Sequence, residues 1–268
     1  RKLMPAVLEE TMAPIEIIDL TPETIGRYGV CGYKNAGKHV ELRKKIDWFA
    51  PYYPKGLRIK ALLADGTYQG MIEYIPGEYA HRPVDAEGYL FIHCIFLGFK
   101  KEYKGKGLGS TLIEACLEDA ENREGKGIAV VTRKGSFMAD KRVFLKKGFE
   151  VVDKAKPDFE LLVKKLDTAA ADPRFKPDMT AGLERYGTGL TVLRSPQCPY
   201  TEKNVTAIIE AAKNEFGLEP SLIDLSDAEA AQNSPCPFGT FSIIYNGQVI
   251  SHHPISKTRF TTIMKKLS

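Results

Sequence analysis

The residues best suited to binding a charged ligand form a glycine-rich segment in the first half of the chain. Residues 103–110 read Tyr-Lys-Gly-Lys-Gly-Leu-Gly-Ser, between an apolar segment and a segment with helical spacing. Glycines at alternate positions let the backbone approach a ligand without obstruction by Cβ atoms. The free N–H groups of a helix start suit a pyrophosphate, and Lys104 and Lys106 add positive charge. The segment therefore predicts a phosphate-binding loop.

Three other interpretations of this loop are a Walker loop, a Rossmann fingerprint and an ordinary turn. A Walker loop has Ser or Thr after its Gly-Lys pair, whereas Gly107 follows Lys106 here. A Rossmann fingerprint is GxGxxG in the first strand-to-helix turn, whereas this GxGxG comes late in its domain. The plain structural alternative is a tight strand-to-helix turn with solvated lysines.

Apolar patterning predicts the elements that would position the loop. Asp65-Gly66 between two apolar runs is typical of a β-hairpin. The predicted strands are Ile15–Leu20, Leu57–Leu63, Tyr68–Ile75, Tyr89–Leu97, Ile128–Thr132, Phe149–Val152 and Phe159–Val163, and the predicted helices are Val40–Phe49 (ending before Pro51), Leu108–Ala120 and Asp140–Lys147. Together they predict one mixed α/β domain over residues 1–166.

The chain changes character at residues 167–189, which are rich in Ala, Pro, Gly and charge and predict a linker. The elements predicted after it are the strands Leu190–Leu193, Ser221–Leu225, Phe241–Tyr245 and Gln248–Ser251 and the helices Glu202–Phe216 and Thr258–Leu267. This βαβ–ββα order predicts a smaller thioredoxin-like α/β domain over residues 190–268.

Composition limits the classes of partner. The 38 basic and 34 acidic residues leave a formal charge of +4, too small to indicate a nucleic-acid binder. The longest apolar stretch, residues 90–99, is interrupted by His93 and is far shorter than a membrane span. The five cysteines show no Cys-x-x-Cys spacing, and this pattern indicates reduced thiols. We therefore expect a cytoplasmic protein with no nucleic-acid partner, no membrane partner and no metal.

The glycine loop and a second segment together resemble the GNAT N-acetyltransferase superfamily. Residues 104–109 fill its (Q/R)xxGxG/A motif, with Lys104 departing from it at the Gln/Arg position. Residues 143–149, Val-Phe-Leu-Lys-Lys-Gly-Phe, resemble its Phe-Tyr-x-x-x-Gly-Phe segment. The chain also resembles the smaller YoaP-type group, which has an appended C-terminal domain, in residues 72–79, 91–94 and 198–200. The resemblance implies the GNAT mixed sheet with flanking helices.

The resemblance also implies acetyl-CoA as the co-substrate, held by the backbone of a splayed fourth strand and by the glycine loop. The implied cofactor-binding residues are Leu97, Gly98, Phe99, Lys104, Gly105, Lys106, Gly107, Leu108, Gly109, Ser110 and Phe144. Many family members have Tyr at the position of Phe144 and use its hydroxyl as the acid toward the leaving thiolate. Phe144 cannot donate a proton, so Ser110, Tyr103, water or an unprotonated thiolate remain as alternatives.

Two residues are candidates for the catalytic base. His93 lies in the strand before the loop, and its near-neutral reference pKa suits proton abstraction. Glu73 lies in the second arm of the hairpin. The structural alternatives are a hydrogen-bonded core histidine and an exposed strand carboxylate. The candidates for an acceptor pocket are Tyr74, Tyr79, His81 and Arg82, with an ordinary polar loop as the alternative.

A candidate thiol site lies in the second domain. Cys198 falls between the first strand and the first helix of the thioredoxin-like order, where glutaredoxins carry their nucleophilic cysteine. Thr201 stands where the second cysteine of the usual glutaredoxin pair would be. Two possibilities remain, which are monothiol chemistry at Cys198 and a pair between Cys198 and Cys236. His252 and His253 are adjacent in a predicted strand and point to opposite faces, which argues against a metal site.

These features predict an acetyl-CoA-dependent N-acetyltransferase acting on a small-molecule amine. One alternative is a non-catalytic acyl-CoA or thiol sensor, because Phe144 lacks the hydroxyl. Another is a monothiol redox module centred on Cys198. Two roles remain possible for the C-terminal domain, which are binding of the acceptor and formation of a homodimer.

Overall fold

The chain folds into a large mixed sheet followed by a smaller one. The computed structural model describes residues 14–98, 103 and 105–267. Its strands are β1 Ile15–Leu20, β2 Arg58–Ala64, β3 Thr67–Pro76, β4 Val84–Asp85, β5 Tyr89–Leu97, β6 Gly127–Thr132, β7 Glu150–Ala155, β8 Phe159–Lys165, β9 Arg174–Phe175, β10 Leu190–Arg194, β11 Ser221–Asp224, β12 Phe241–Tyr245 and β13 Gln248–Ser251. Its α-helices are α1 Ile25–Tyr28, α2 Val40–Tyr52, α3 Leu108–Asn122, α4 Lys141–Leu145, α5 Val205–Phe216, α6 Ala228–Gln232 and α7 Lys257–Leu267.

The large sheet has seven strands in the order β1-β2-β3-β5-β6-β8-β7. Its strands pair antiparallel except β5 and β6, which are parallel and are joined through α3. The predicted hairpin turn is present, with positive φ at both Asp65 and Gly66, as the tight turn requires. The mixed α/β sheet predicted for the N-terminal domain is confirmed.

Two irregularities in β5 open the sheet. The parallel pairing with β6 covers only Tyr89–Ile92 of β5, and beyond Ile92 the two strands are no longer paired. The register against β3 shifts between Glu73 and Tyr74, so that His93 is an extra residue in β5 without an opposite partner. A bulge of this kind bends a strand and re-aims its side chains.

The two faces of the large sheet pack against different parts of the chain. On one face, Ile92 and Val130 share a core with Leu112 and Cys116 of α3. On the other face, Phe91 and Val131 share a core with C-terminal residues such as Val192 of β10. Alternation of side chains along each strand produces this division. The C-terminal region therefore covers one face of the sheet.

The small sheet has the order β11-β10-β12-β13. β10 pairs parallel with β11, while β12 pairs antiparallel with both β10 and β13. The helix α5 lies between β10 and β11 in the chain, and α7 follows β13. The predicted βαβ–ββα element order is thus present. Among the described residues, no helix combines the length and apolar character that a membrane crossing needs.

Residues 167–189 contain more regular structure than their composition predicts. They include the short strand β9, which pairs with β4, and a 3-10 helix over Met179–Tyr186. Phe175 of β9 is buried in the core that the large sheet shares with the C-terminal region. Burial of this side chain holds the segment against the sheet.

The prediction that the helix beginning at Val40 ends before Pro51 is wrong. The helix α2 continues through Pro51 to Tyr52. The ring of Tyr52 packs against Trp48, and its hydroxyl accepts a hydrogen bond from the N–H of Ala228 at 2.9 Å. These tertiary contacts offset the one backbone hydrogen bond that a proline removes.

Candidate active site

A cavity of about 330 Å³ lies where β5 and β6 diverge. Strand β5 supplies six of its lining residues, and the others come from the loop after α1, from β6, from the loop before α4, from α4 and from the C-terminal region. The lining residues are Cys31, Ile92, His93, Cys94, Ile95, Phe96, Leu97, Val130, Val131, Phe137, Met138, Ala139, Phe144, Cys198 and Tyr200. The lining is mainly apolar, and three of its members carry thiols.

The glycine loop leads from the end of β5 to the start of α3. Gly105 and Gly107 have φ of +73° and +80°, and a Cβ atom on either would meet no described atom within 4 Å. No described side chain caps the N-terminus of α3. The N–H groups of its first turn are therefore available to a ligand, and residues with side chains are disfavoured at Gly105 and Gly107. This open backbone fits a pyrophosphate.

The predicted cofactor residues that the structure describes lie around this cavity and loop. Leu97 and Phe144 line the cavity. A Cβ atom on Gly109 would lie 3.5 Å from the Leu97 side chain, which places the start of α3 against β5. The N–H of Gly98 is already donated to the Gln69 carbonyl at 2.6 Å. Phe99 and Lys104 lie outside the described residues.

Glu73 is the centre of a buried polar cluster behind the cavity. Its Oε2 atom lies 2.5 Å from the Lys45 ammonium, and its Oε1 atom accepts from the Gln197 amide at 2.8 Å. The His93 Nδ1 atom lies 3.1 Å from the same Oε1. Lys45 also donates to the Gln197 carbonyl. The cluster joins α2, β3 and β5 to the loop that precedes Cys198, and it rules out the exposed-carboxylate alternative for Glu73.

Both nitrogens of the His93 ring have hydrogen-bond partners. Nε2 accepts from the backbone N–H of His81 at 2.8 Å, so Nδ1 carries the proton that faces Glu73. Burial lowers the pKa of His93 to about 4, although the Glu73 carboxylate acts in the opposite direction. Burial alone raises the pKa of Glu73, but the charge of Lys45 and the hydrogen bond from His93 outweigh it and hold this pKa at about 2. At neutral pH, His93 is neutral and Glu73 is ionised.

The four residues predicted to line an acceptor pocket lie elsewhere. Tyr74 is buried against α3 and donates to Asp119 at 2.5 Å. Tyr79 packs in the core beside α2. His81 accepts from the Trp48 indole, and Arg82 donates to the carbonyl of His81. None of the four is in the lining of the cavity, because the apolar core and the α2 side of the sheet enclose them.

The loop before α5 brings two further residues to the cavity. Cys198 and Tyr200 both line it, and the Tyr200 hydroxyl donates to the Cys31 carbonyl at 2.9 Å. The second cysteine predicted for a thiol site, Cys236, is fully buried and has the His252 carbonyl 3.7 Å from its sulfur. The position of Cys198 at the cavity brings the C-terminal region to the site of the predicted acyl-CoA chemistry.

The buried cluster also predicts how stability depends on pH. An unfolded His93 has an ordinary pKa of 6.5, whereas burial holds it at about 4 in the folded protein. Between these values the unfolded chain binds more protons, so the free energy of unfolding falls as the pH falls. We expect His93 to account for a loss of about 1.5 kcal/mol between pH 6.5 and pH 5.

Urea unfolding at pH 7.5, 6.5 and 5.0 measures this dependence. His93→Gln removes the titrating group and should flatten the slope over that window, leaving the contribution of His81, whose pKa burial also lowers. An equal slope in the wild type and in His93→Gln would contradict the assignment.

Comparison with known proteins agrees with these features. Residues 31–149 match the model of the Acetyltransferase (GNAT) family, and residues 221–262 match the YoaP-like family. The chain is 28% identical over 199 residues to YoaP of Bacillus subtilis, an uncharacterized N-acetyltransferase, and the match covers 74% of this chain and 78% of the relative.

Solved acetyltransferases give weaker likenesses. The PaiA N-acetyltransferase of Thermoplasma acidophilum, in complex with coenzyme A, has 19% identity and a TM-score of 0.41 over 57% of this chain and 99% of its own. A ribosomal-protein-alanine N-acetyltransferase of Brucella melitensis has 17% identity and a TM-score of 0.41 over 56% of this chain and 99% of its own. The family matches support an N-acetyltransferase that is similar to the GNAT family over residues 31–149 and to YoaP-like proteins over residues 221–262.

Proposed function

We propose that the protein transfers an acetyl group from acetyl-CoA to a small-molecule amine by direct attack of the amine on the thioester. The observation that carries this proposal is the cavity between the diverging ends of β5 and β6, next to the uncapped start of α3. Acetyl-CoA, when bound, supplies the activated acetyl thioester. The cavity and the glycine loop offer separate places for its apolar and its charged parts.

The cofactor would be held mainly by backbone. N–H groups of Gly105 to Ser110, with the Lys106 ammonium, suit the pyrophosphate. Leu97 and Phe144 offer apolar surface inside the cavity. The edge of β5 beyond Ile92 no longer pairs with β6, so its backbone groups on that side are open to a ligand. Gly98, whose N–H bonds to Gln69, contributes through close packing.

The cavity favours a neutral amine as the acceptor. Its described lining residues include no carboxylate that could stabilise an ammonium ion. Moving an ammonium ion into apolar surroundings is costly, and burial lowers the pKa of an amine. A neutral amine is also the nucleophilic form. The site therefore reduces the need for a strong base.

We propose that Glu73 and His93 position the reacting groups. Both His93 nitrogens are hydrogen-bonded, and the low pKa of Glu73 makes it a weak base. Together they tie the bulge of β5 to Gln197, beside Cys198 of the cavity wall. A water molecule at the cavity mouth would then accept the proton that the attacking amine loses.

Tyr200 is the residue that we propose as the acid missing at Phe144. Its phenol lines the same cavity, and burial raises its pKa, so it stays protonated at neutral pH. Tyr200→Phe removes the donor while keeping the ring. We expect kcat to fall about a hundredfold, because the leaving thiolate loses its proton source.

Tyr33→Phe is the matched control for this prediction. The Tyr33 ring packs on Tyr200 with 5.2 Å between ring centroids but is absent from the described cavity lining. Steady-state kinetics should show a near-normal kcat for Tyr33→Phe. Equal kcat values for Tyr200→Phe and the wild type would exclude Tyr200 as the acid.

We further infer that the C-terminal region is a thioredoxin-like domain that serves as a wall of the acceptor site. The strand order β11-β10-β12-β13, with one parallel and two antiparallel pairings, supports this fold. The placement of Cys198 and Tyr200 in the cavity lining supports the role. A wall built by a second domain would restrict which acceptors fit.

The activity is tested by measuring release of the CoA thiol across a panel of primary amines, together with calorimetric titration of acetyl-CoA. Binding with turnover of at least one amine supports the proposal. Binding without turnover on any amine favours the sensor alternative. For the redox alternative, glutathione exchange that is unchanged in Cys198→Ser would eliminate a role of Cys198.

A further inference from the structure

Three of the five cysteines meet at the cavity. Cys31, Cys94 and Cys198 come from the loop after α1, from β5 and from the loop before α5, and all three line the cavity. The sulfur atoms of Cys31 and Cys94 lie 4.0 Å apart. The acetyl-transfer scheme proposed above gives no role to this pair.

The Cys31 thiol is held in a fixed place. Its residue has a φ of +51°, in the left-handed region that side chains rarely occupy. The Cys31 N–H donates to the Tyr68 hydroxyl at 3.2 Å, and its carbonyl accepts from Tyr200 at 2.9 Å. Two phenols on different elements thus fix the backbone on both sides of this thiol.

The two thiols differ in access. Cys31 is 4% exposed, whereas Cys94 is partly exposed. The hydrogen bond with Cys94 and burial raise the pKa of Cys31 well above its ordinary value. Cys94 lies next to the His93 bulge of β5, where the strand is already bent. A reagent that enters the cavity therefore reaches Cys94 first, with Cys31 behind it.

We propose that Cys31 and Cys94 form a reversible disulfide by exchange with a low-molecular-weight disulfide that enters the cavity. The Cys94 thiolate attacks one sulfur of the reagent, which gives a mixed disulfide and releases one thiol. Cys31 then attacks the Cys94 sulfur, which closes the protein disulfide and releases the second thiol. Both protein thiols are oxidised, and the reagent is reduced to two thiols.

The disulfide would change acetyl transfer, and this consequence alone rests on the proposed function. Closing the bond brings the two sulfur atoms about 2 Å closer together. Cys94 belongs to the stretch of β5 that forms the cavity wall, so its movement changes the position of the bound thioester. We expect turnover to fall about tenfold on oxidation and to recover with dithiothreitol, because small displacements strongly slow positioned reactions.

The test uses the full chain and glutathione disulfide as the probe. After incubation and alkylation of free thiols, peptide mass spectrometry should find a Cys31–Cys94 crosslink. In Cys31→Ser, the reaction should stop at a glutathione adduct on Cys94. Cys116→Ser is the control, because Cys116 is a buried residue of α3 outside the described cavity lining, and this variant should crosslink like the wild type.

Three results would overturn the proposal. The first is that every cysteine of the wild type is alkylated, which means that no disulfide formed. The others are a crosslink that joins Cys94 to Cys198 instead, and the absence of an adduct on Cys94 in Cys31→Ser. Mapping the crosslink needs no turnover, so it stands apart from the proposed function. A mapped crosslink in a protein that does not bind acetyl-CoA would leave the thiol pair supported and reject acetyl transfer.

Discussion

Glu73→Ala is expected to lower the free energy of unfolding by about 3–5 kcal/mol, because it leaves the Lys45 ammonium buried without its counter-charge. Lys45 and Glu73 are both fully buried, and the two groups lie 2.5 Å apart. The substitution also removes the acceptor for His93 and for the Gln197 amide. Urea unfolding at pH 7.5, monitored by the fluorescence of Trp48, measures the loss.

Two variants show whether the charge is the cause. The double variant Lys45→Met/Glu73→Gln removes both charges and should recover most of the lost stability, since replacing a whole buried pair is often nearly neutral. Lys44→Met breaks the partly exposed pair with Glu202 and should cost less than about 1 kcal/mol. A double variant as unstable as Glu73→Ala would show that packing, rather than charge, sets the effect.

Gly107→Val is expected to weaken acetyl-CoA binding by at least about tenfold, which corresponds to about 1.4 kcal/mol. Gly107 has a φ of +80° at the start of α3, where a β-branched residue is strained. Its Cβ would project into space that is open to a ligand, and it would disturb the N–H groups proposed to hold the pyrophosphate. Calorimetric titration with acetyl-CoA measures the change.

Gly217→Val separates backbone strain from ligand contact. Gly217 ends α5 with a φ of +63°, and a Cβ atom there would also meet no described atom within 4 Å. The two substitutions should destabilise the fold similarly, but only Gly107→Val should weaken binding. Similar losses of affinity in both variants would point to a general effect on folding and would place the cofactor elsewhere.

Much of the local structure follows from the sequence. Strand Tyr89–Leu97 and helix α3 begin at the residues that the sequence patterns predict. A buried apolar run and apolar residues at helical spacing both depend on residues close together in the chain. Gly105 and Gly107 were recognisable because their spacing is unusual and their backbone role is local. The element order of the C-terminal sheet was predictable for the same reason.

The buried cluster had only a faint signal in the sequence. Lys45 lies in the buried stripe of α2, three residues after Leu42 and four before Phe49. A lysine at a core position requires a buried partner, so its spacing could have indicated an ion pair. The spacing could not identify Glu73 as that partner, because the two residues come from a helix and a strand that only folding brings together.

The glycine loop, the strands and the candidate thiols of this protein can be located in the sequence, since each is a property of residues close together in the chain. Which of them meet depends on the packing of the folded chain. Gln197 reaches Glu73 across 124 positions, and Cys31 reaches Cys94 across 63. Patterning fixes which face of an element is apolar, but it does not fix which element packs on that face. The cavity of this acetyltransferase is therefore a product of packing between its two regions.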